Sequence, residues 1–346
     1  MKAAKGGRSS GGTVRRSRPG RGRRRVLAGV GLLIVVNAAI GAAIEQIGDY
    51  HARRYRPPGR LVSVNGHRMH IWCEGSGSPT VVLIAGLGEW SLDWRRVQPT
   101  VASSTRVCSY DRPGMGWSDP HAASLTSAGI AADLHALLDE AHIAPPYLLV
   151  GHSVGGIYAR LFAQAHPAEV TGMVFVDSAH EEQFSRYPSV LRQNRSQLRL
   201  LRFARYLAPV GLGRLMRKPV AASRLPAPWQ HQANALGYRT SSYFAFYDEA
   251  SRFLKAADGE LHLPAPSTFT VPIVVISSGK HLREPKDGQV WGQLQRDLVA
   301  LSPCGAQLVS PQAGHNIQTD DPDSVVTAIN QVLNHVRGGT DCRART

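Results

Sequence analysis

Short apolar runs alternate with helix-like stretches along most of this chain of 346 residues. The runs are rich in Val, Ile and Leu and lie at 80–85, 105–110, 147–150, 174–176, 273–276 and 307–309. Helical patterns separate most of them, at 125–141, 155–165, 290–301 and 322–336. Because continuous apolar strands joined by helices are typical of a sheet covered on both faces, the alternation predicts an α/β fold with a mainly parallel sheet.

Two departures from the alternation add to this organisation. Asn65-Gly66 separates two short strand patterns and suits a tight hairpin, so two antiparallel strands are expected to open the domain. The stretch between Val176 and Ile273 has no clear strand, and its Leu, Phe, Tyr and Arg residues recur at helical intervals. This stretch is predicted to form a helical cap.

The formal net charge of +15 is concentrated at the N-terminus. Residues 1–25 contain ten Lys or Arg and no acidic residue, which leaves 30 basic and 25 acidic residues in the remaining chain. The body of the protein is therefore only mildly basic. Since no recognition helix with a basic patch is apparent, we expect no binding to nucleic acid.

Nineteen uncharged residues, from Val26 to Ile44, follow this basic block. As a helix they would span roughly 28 Å, close to the ~30 Å of a bilayer's hydrocarbon core. Because basic residues favour the cytoplasmic side of a membrane, the rest of the chain is expected on the extracytoplasmic side. The shorter apolar core Val26–Val36, followed by small residues, also fits a cleaved signal peptide, so a membrane-anchored and a secreted protein both remain open.

The motif that points most directly to chemistry is Gly151-His152-Ser153-Val154-Gly155, which follows a predicted strand and precedes a predicted helix. A serine on such a turn projects from the carboxyl edge of the sheet, and the flanking glycines relieve crowding there. A serine hydroxyl needs a neighbouring base to become a nucleophile near neutral pH. His315 follows the last predicted strand and precedes the final helix, so it is expected at the same edge as that base.

These residues together resemble the α/β-hydrolase fold family over roughly residues 61–336. Ala85-Gly86-Leu87-Gly88 is similar to the family's His-Gly-x-Gly oxyanion segment, with Ala in place of His. The resemblance implies an eight-stranded, mostly parallel sheet covered by helices, with a cap inserted after strand 6. The expected divisions are a basic cytoplasmic N-terminus (1–25), a transmembrane or signal segment (26–47), a linker (48–60), the hydrolase core (61–177 and 270–337), the cap (178–269) and a tail (338–346).

The resemblance also implies an oxyanion hole and an acid. The backbone N–H groups of Leu87 and Val154 are the candidate donors, since preorganised amides stabilise the charge of a tetrahedral intermediate. Family members usually place the acid after the strand assigned to 273–276, yet no carboxylate lies at the tip of that strand. Asp177, at the end of the preceding strand, is the favoured acid, and Asp287 or Glu284 is the alternative.

The expected reaction is hydrolysis of a carboxylic ester, of a small molecule or a lipid, through an acyl-enzyme intermediate, with no metal or organic cofactor required. An amidase, a peptidase or an acyltransferase with the same triad, or a catalytically silent membrane-tethered binding module, remain alternatives. Epoxide hydrolases of this fold use an aspartate where this chain has Ser153. Oligomeric state stays open.

The order of the family's strands places the strand of Cys73 beside that of Cys108. The resemblance therefore implies a Cys73–Cys108 disulfide if the domain is exported, and two buried free thiols are the alternative. Cys304 and Cys342 receive no assignment.

Overall fold

An eight-stranded sheet organises this protein. The computed structural model describes residues 21–121, 126–220, 225–227, 229–257, 268–285, 287–339 and 342. The strands are β1 (Arg60–Val64), β2 (His67–Glu74), β3 (Thr80–Ile84), β4 (Val107–Tyr110), β5 (Tyr147–His152), β6 (Val170–Val176), β7 (Ile273–Ser278) and β8 (Gly305–Ser310). Their order in the sheet is β1-β2-β4-β3-β5-β6-β7-β8. The pairs β1–β2 and β2–β4 are antiparallel and the others are parallel, so the predicted fold class is confirmed.

Helices cover both faces of the sheet. They are α1 (Arg21–Arg53), α2 (Gln98–Ala102), α3 (Ser127–Glu140), α4 (Gly155–Ala165), α5 (Gln183–Arg186), α6 (Pro188–Leu207), α7 (Leu212–Leu215), α8 (Trp229–Gly237), α9 (Thr240–Ala257), α10 (Gly279–Leu282), α11 (Gly288–Val299), α12 (Ile317–Asp320) and α13 (Pro322–Arg337). Short 3₁₀ turns lie at Ser91–Trp94 and Ala208–Val210.

Every residue of β3 is buried because successive side chains enter two different apolar clusters. Val82 and Ile84 pack in the cluster that contains α3 and α4. Val81 and Leu83 pack in the cluster that contains α2 and α13. Burial on both faces is the reason why the central strands read as unbroken apolar runs in the sequence.

The cap between β6 and β7 consists of α5 to α9, and α6 packs along α9. It lies over the carboxyl edge of the sheet, since residues of α6 and α9 line the same cavity as the loops after β3 and β5. Parts of the predicted cap, at 221–224, 228 and 258–267, lie outside the described residues.

Helix α1 is the one described helix that is long and apolar enough to cross a membrane. It continues through Arg53, so residues 48–53 of the predicted linker are helical. The reason lies in the cap: Glu45 pairs with Arg214 at 2.7 Å, and Asp49 pairs with Arg239 at 3.0 Å. The end of α1 is therefore part of the folded body. The basic residues 1–20 lie outside the described residues.

Two disulfides join the four cysteines. Cys73 and Cys108 face each other across the β2–β4 pair, with their Cα atoms 4.0 Å apart. Cys304, just before β8, is joined to Cys342 beyond α13. The second bridge attaches the chain after the last helix to the edge of the sheet.

Candidate active site

Ser153 lies on a tight turn between β5 and α4. Its φ of 52° is in the left-handed region, where a residue with a side chain is strained. The flanking glycines permit the turn: a Cβ at Gly151 would lie 2.5 Å from the backbone of Gly156, and one at Gly155 would lie 2.3 Å from the carbonyl oxygen of Ile84. Ser153 thereby reaches a cavity at the carboxyl edge of the sheet.

Two loops at this edge bring a histidine and an aspartate to Ser153. His315 follows β8, and its Nε2 lies 3.1 Å from Ser153 Oγ. Asp177 directly follows β6, and its Oδ2 lies 2.8 Å from His315 Nδ1. The three side chains form a continuous hydrogen-bonded chain from hydroxyl through imidazole to carboxylate. The structure thus brings together three of the residues that the sequence singles out.

The carboxylate of Asp177 is fully buried and has partners on both oxygens. Oδ1 accepts the backbone N–H of Ser278 at 3.0 Å and the indole N–H of Trp291 at 2.8 Å. Oδ2 faces His281 and His315. Burial by itself would raise the pKa of this carboxyl, but the hydrogen bonds and charges of the two histidines outweigh burial and hold the pKa well below its ordinary value. Asp177 is therefore ionised at neutral pH.

The alternative acids lie elsewhere. Asp287 accepts a hydrogen bond from Ser189 Oγ at 3.5 Å, and Glu284 is exposed. Within the described residues, His315 has no hydrogen bond to either carboxylate. The geometry therefore favours Asp177 over both as the partner of His315.

His281 is a residue of the site that sequence patterns alone do not single out. It lies on α10, and its Nδ1 is 3.2 Å from Asp177 Oδ2. Its ring stacks on Trp291, with centroids 4.6 Å apart. Burial would lower the pKa of His281, but the hydrogen bond to Asp177 outweighs it and raises the pKa above the ordinary value. The one available signal was position, because His281 follows β7 where an acid was expected.

Leu87 and Val154, the candidate oxyanion donors, line the same cavity as Ser153. Val154 immediately follows Ser153 at the start of α4, and Leu87 lies on the loop after β3. Among the described residues, neither backbone N–H donates a hydrogen bond to another backbone carbonyl. Two unpaired donors beside a nucleophile are the requirement for stabilising an oxyanion.

A buried carboxylate and imidazole connect the two loops that flank Ser153. Glu89 Oε2 lies 2.7 Å from His152 Nδ1 and accepts the backbone N–H of Gly86 at 2.8 Å. His152 Nε2 lies 3.0 Å from the carbonyl oxygen of His315. Asn316 Nδ2 donates to Glu89 Oε1 at 2.8 Å. The pair therefore holds the loop after β3 against the loop after β8.

The electrostatics of this pair favour two charges. Burial alone would raise the pKa of the Glu89 carboxyl, but the charge of His152 and its hydrogen bond lower it. Burial alone would lower the pKa of the His152 imidazole, but the charge of Glu89 and its hydrogen bond raise it. Since both shifts stabilise the charged forms, Glu89 and His152 form a buried ion pair.

The cavity that contains Ser153 has a volume of about 570 Å³, within the range of small-molecule sites. Its polar end is formed by Ser153 and His315 at the sheet edge. The cap supplies most of the apolar wall, through Tyr187, Val190, Leu198, Leu201, Val220, Phe246, Phe253 and Leu254. The cap also contributes the amide side chains of Gln183, Asn194 and Gln197. The cavity thus combines a polar end with a mainly apolar wall, which suits a substrate with a reactive polar group and an apolar portion.

Three described groups have possible metal-ligand atoms within 4.8 Å of one another. In one of them, Cys304 with His335 and Cys342, both thiols are used in a disulfide. The other two groups contain no cysteine. One is Asp177 with His281 and His315, and the other is His135 with His166 and Glu169. In the first group, the distances between Asp177 Oδ2 and the two imidazole nitrogens, 3.2 Å and 2.8 Å, are those of ordinary hydrogen bonds. In the second the two imidazoles are stacked face to face, with centroids 3.7 Å apart, so their lone pairs do not converge on one point.

Comparison with known proteins gives independent evidence for the fold. A family model described as the alpha/beta hydrolase fold matches residues 79–322, more than half of the chain. An uncharacterized protein of Schizosaccharomyces pombe is 28% identical over 323 residues, covering 80% of this chain and 56% of that protein. The chain therefore spans little more than half of the length of that relative.

Two solved structures are similar over most of the chain. A thermophilic esterase from Thermogutta terrifontis has a TM-score of 0.60 at 18% identity and covers 80% of this chain and 98% of its own. The epoxide hydrolase CorEH has a TM-score of 0.57 at 17% identity and covers 79% and 97%. At such identities the likeness shows the arrangement of strands and helices alone.

Proposed function

Because the chain belongs to the α/β-hydrolase fold family, we propose that it is a serine hydrolase that cleaves carboxylic esters by way of an acyl-enzyme intermediate. The observation that carries the proposal is the hydrogen-bonded chain Ser153–His315–Asp177 on a strained turn. Hydroxyl, imidazole and buried carboxylate in this order are the groups that nucleophilic acyl transfer requires.

In the proposed reaction, Ser153 Oγ attacks the ester carbonyl carbon while His315 Nε2 takes the hydroxyl proton. The imidazolium then donates this proton to the departing alkoxide as the carbon–oxygen bond breaks. Water, deprotonated by His315, then attacks the acyl carbon. The bond from this carbon to Ser153 Oγ breaks, the imidazolium returns its proton to Oγ, and the acid is released. Asp177 accepts the Nδ1–H of His315 throughout, which fixes the tautomer and stabilises the imidazolium.

The amides of Leu87 and Val154 are proposed to hold the oxyanion in both half-reactions. They are effective because donors that are already in place need no rearrangement as charge develops. Each donor lowers the activation free energy by about 3–4 kcal/mol. The ion pair of Glu89 and His152 supports this arrangement, because Glu89 binds the N–H of Gly86, the residue before Leu87.

Ester hydrolysis is favoured over epoxide opening by the nucleophile. The epoxide hydrolases of this fold use a carboxylate at this position, and this chain has a serine hydroxyl there. An attack by serine on an acyl carbon gives an ester that water can hydrolyse with the same histidine.

Helix α1 is proposed to anchor the enzyme in a membrane with its catalytic domain on the extracytoplasmic side. Its apolar span follows a strongly basic segment, the arrangement that retains the N-terminus in the cytoplasm. Two disulfides support an oxidising compartment.

The test is to treat the detergent-solubilised full chain with a fluorophosphonate and measure the intact mass. We expect the wild type to gain one adduct rapidly, and Ser153→Ala and His315→Ala to gain none on the same timescale. A folded wild type that stays unlabelled would overturn the hydrolase proposal in favour of a binding module. Rapid labelling that persists in Ser153→Ala would place the nucleophile elsewhere.

A further inference from the structure

The outer surface of the cap carries an apolar patch, named here the cap tip. It consists of Leu200, Phe203, Tyr206, Leu207, Leu215 and Met216, each at least 43% exposed. The first four lie at the C-terminal end of α6, and the last two at the end of α7. A patch of neighbouring large apolar side chains in water is costly unless something covers it.

The polarity of α6 changes along its length. Apart from Pro188 at its start, the exposed residues of its first half are polar, among them Arg192, Gln193 and Ser196. The large exposed apolar residues appear only from Leu200 onward. The apolar residues therefore lie at the end of α6 that leads into the 3₁₀ turn Ala208–Val210, and this turn contacts α1.

Helix α1 contacts the cap next to this patch. A Cβ at Gly41 would lie 2.1 Å from the carbonyl oxygen of Val210, so the two backbones are in direct contact. Gly41 is in the last turn of the apolar span, which ends at Ile44. With a rise of about 1.5 Å per residue, Gly41 lies roughly 5 Å inside the end of the span.

The contacts of α1 with the cap place the cap tip near the end of the apolar span. Val210 and Gly211 pack against Gly41 in its final turn, and Arg214 pairs with Glu45, the first residue beyond it. Interfacial helices bury their apolar face about 5–10 Å into the boundary between headgroups and acyl chains. The depth of Gly41, roughly 5 Å, lies at the shallow end of that range.

The charges beside the cap tip match an anionic surface. Arg199, Arg202 and Arg217 have no carboxylate partner within 4 Å among the described residues. Long basic side chains next to an apolar face extend to lipid phosphates while their stems remain in the boundary region.

From this geometry, and on the basis of the hydrolase function and the membrane anchor proposed above, we infer that the cap tip inserts into the leaflet around the C-terminal end of the α1 span. We infer further that this leaflet is anionic and that the substrates are amphiphilic esters drawn from it. The inner side of the same helix, through Leu198 and Leu201, lines the catalytic cavity. Pro219 and Val220, a few residues beyond Met216, also line it. One helix thus separates the leaflet from the cavity.

Insertion can be measured without any enzymatic activity. All four native cysteines are in disulfides, so Leu215→Cys in the full chain offers a single thiol for the dye nitrobenzoxadiazole. The matched control is Glu140→Cys, which is exposed at the end of α3, before β5, and so at the sheet edge opposite Ser153. Both are reconstituted into nanodiscs of phosphatidylcholine with a minority of phosphatidylglycerol.

We expect blue-shifted emission at position 215 that is quenched by lipids carrying a nitroxide on the upper acyl chain, and neither effect at position 140. Emission at 215 as water-exposed as at 140 would overturn insertion. A blue shift that lipid nitroxides do not quench would show that a second copy of the chain covers the patch, and would also overturn it.

The substrate class is tested with the triple variant Leu207→Ser, Leu215→Ser and Met216→Ser, none of which lines the cavity. Its control is Val309→Ser, because Val309 is an apolar residue on β8 that is 49% exposed and lies outside the cap. Hydrolysis of a long-chain ester embedded in the nanodisc should fall roughly tenfold in the triple variant, with hydrolysis of a soluble acetate ester unchanged. Equal loss with both esters, or no loss with either, would overturn the substrate class. If the folded wild type is not labelled by the fluorophosphonate, the hydrolase proposal is overturned, and the dye measurement of insertion is unaffected.

Discussion

His281 Nδ1 lies 3.2 Å from Oδ2 of Asp177, the same oxygen that is 2.8 Å from Nδ1 of His315. One buried carboxylate oxygen therefore serves two imidazoles, of which only His315 reaches Ser153. The two histidines are expected to differ in role: His315 transfers protons, and His281 holds the carboxylate in place.

Replacement of Asp177 by Asn should remove most of the activity. The amide would offer His315 Nδ1 either an N–H donor, which favours the wrong tautomer, or an uncharged oxygen, which does not stabilise the imidazolium. We therefore expect kcat to fall by about 10³–10⁴-fold while the fold is retained. The measurement is kcat on a soluble ester, with circular dichroism as the check on folding. Asp287→Asn is the control and should keep near-wild-type kcat. The opposite pattern, activity retained in Asp177→Asn and abolished in Asp287→Asn, would falsify the assignment of the acid.

His281→Gln should change stability in a pH-dependent way. Because the pKa of His281 is raised in the folded protein, its protonated form favours folding. This contribution is fully present below the unfolded pKa of about 6.5 and is lost as pH rises through the folded value. The variant should therefore be less stable than wild type by about 1–2 kcal/mol near pH 5.5. Urea unfolding at that pH and at about pH 9 should show the difference shrinking; a difference that grows with pH would contradict the role.

The left-handed conformation of Ser153 predicts a gain in stability when the nucleophile is lost. Ser153→Gly removes the Cβ that is strained at a φ of 52° and should raise the free energy of unfolding by about 0.5–1 kcal/mol. Ser153→Ala keeps the Cβ and should leave stability near that of wild type. Both variants should be inactive. Thermal unfolding of the three proteins side by side tests this, and equal stability of the two variants would count against strain at this turn.

Glu89→Gln should destabilise the protein more than the loss of a surface ion pair. It leaves the buried His152 without its counter-charge, at a cost of about 3 kcal/mol. Glu74→Gln is the control, because Glu74 pairs with Arg95 at 3.3 Å near the surface, where such pairs are worth about 0.2–1 kcal/mol. Denaturant midpoints of both variants at neutral pH give the comparison. Similar losses in the two variants would mean that Glu89 and His152 are not a buried ion pair.

The strands of the sheet were predictable because burial on both faces produces uninterrupted apolar runs. The first and last residues of each strand were less predictable. β6 begins at Val170, four residues before the predicted start, because Thr171 and Gly172 interrupt the run. β7 continues through Ser277 and Ser278, which are polar yet buried. Ser278 is held there by long-range bonds to Asp177 and Ala313, which no local pattern indicates.

The residues of the candidate site likewise fall into those with a local sequence pattern and those positioned by long-range contacts. Ser153 and His315 carry a local signature, a strand followed by a turn of the right composition. The choice between Asp177 and Asp287 depends on which carboxylate faces His315 once β6, β7 and β8 have paired, and no local pattern in the sequence indicates that. The ion pairs that dock α1 on the cap join residues far apart in sequence, so an apolar run alone predicted a membrane span but not its attachment.

The position of Asp177 at the end of β6 has a consequence for how the protein is made. Ser153, Asp177 and the residues of both oxyanion donors all precede the cap, and only His315 follows it. The candidate nucleophile, the candidate acid and both candidate amide donors are therefore synthesised long before the proposed base emerges from the ribosome. Until β8 has added to the edge of the sheet beside β7 and His315 has followed it, Ser153 lacks its imidazole partner, so the proposed reactivity can begin only after the last strand and the loop behind it have been translated.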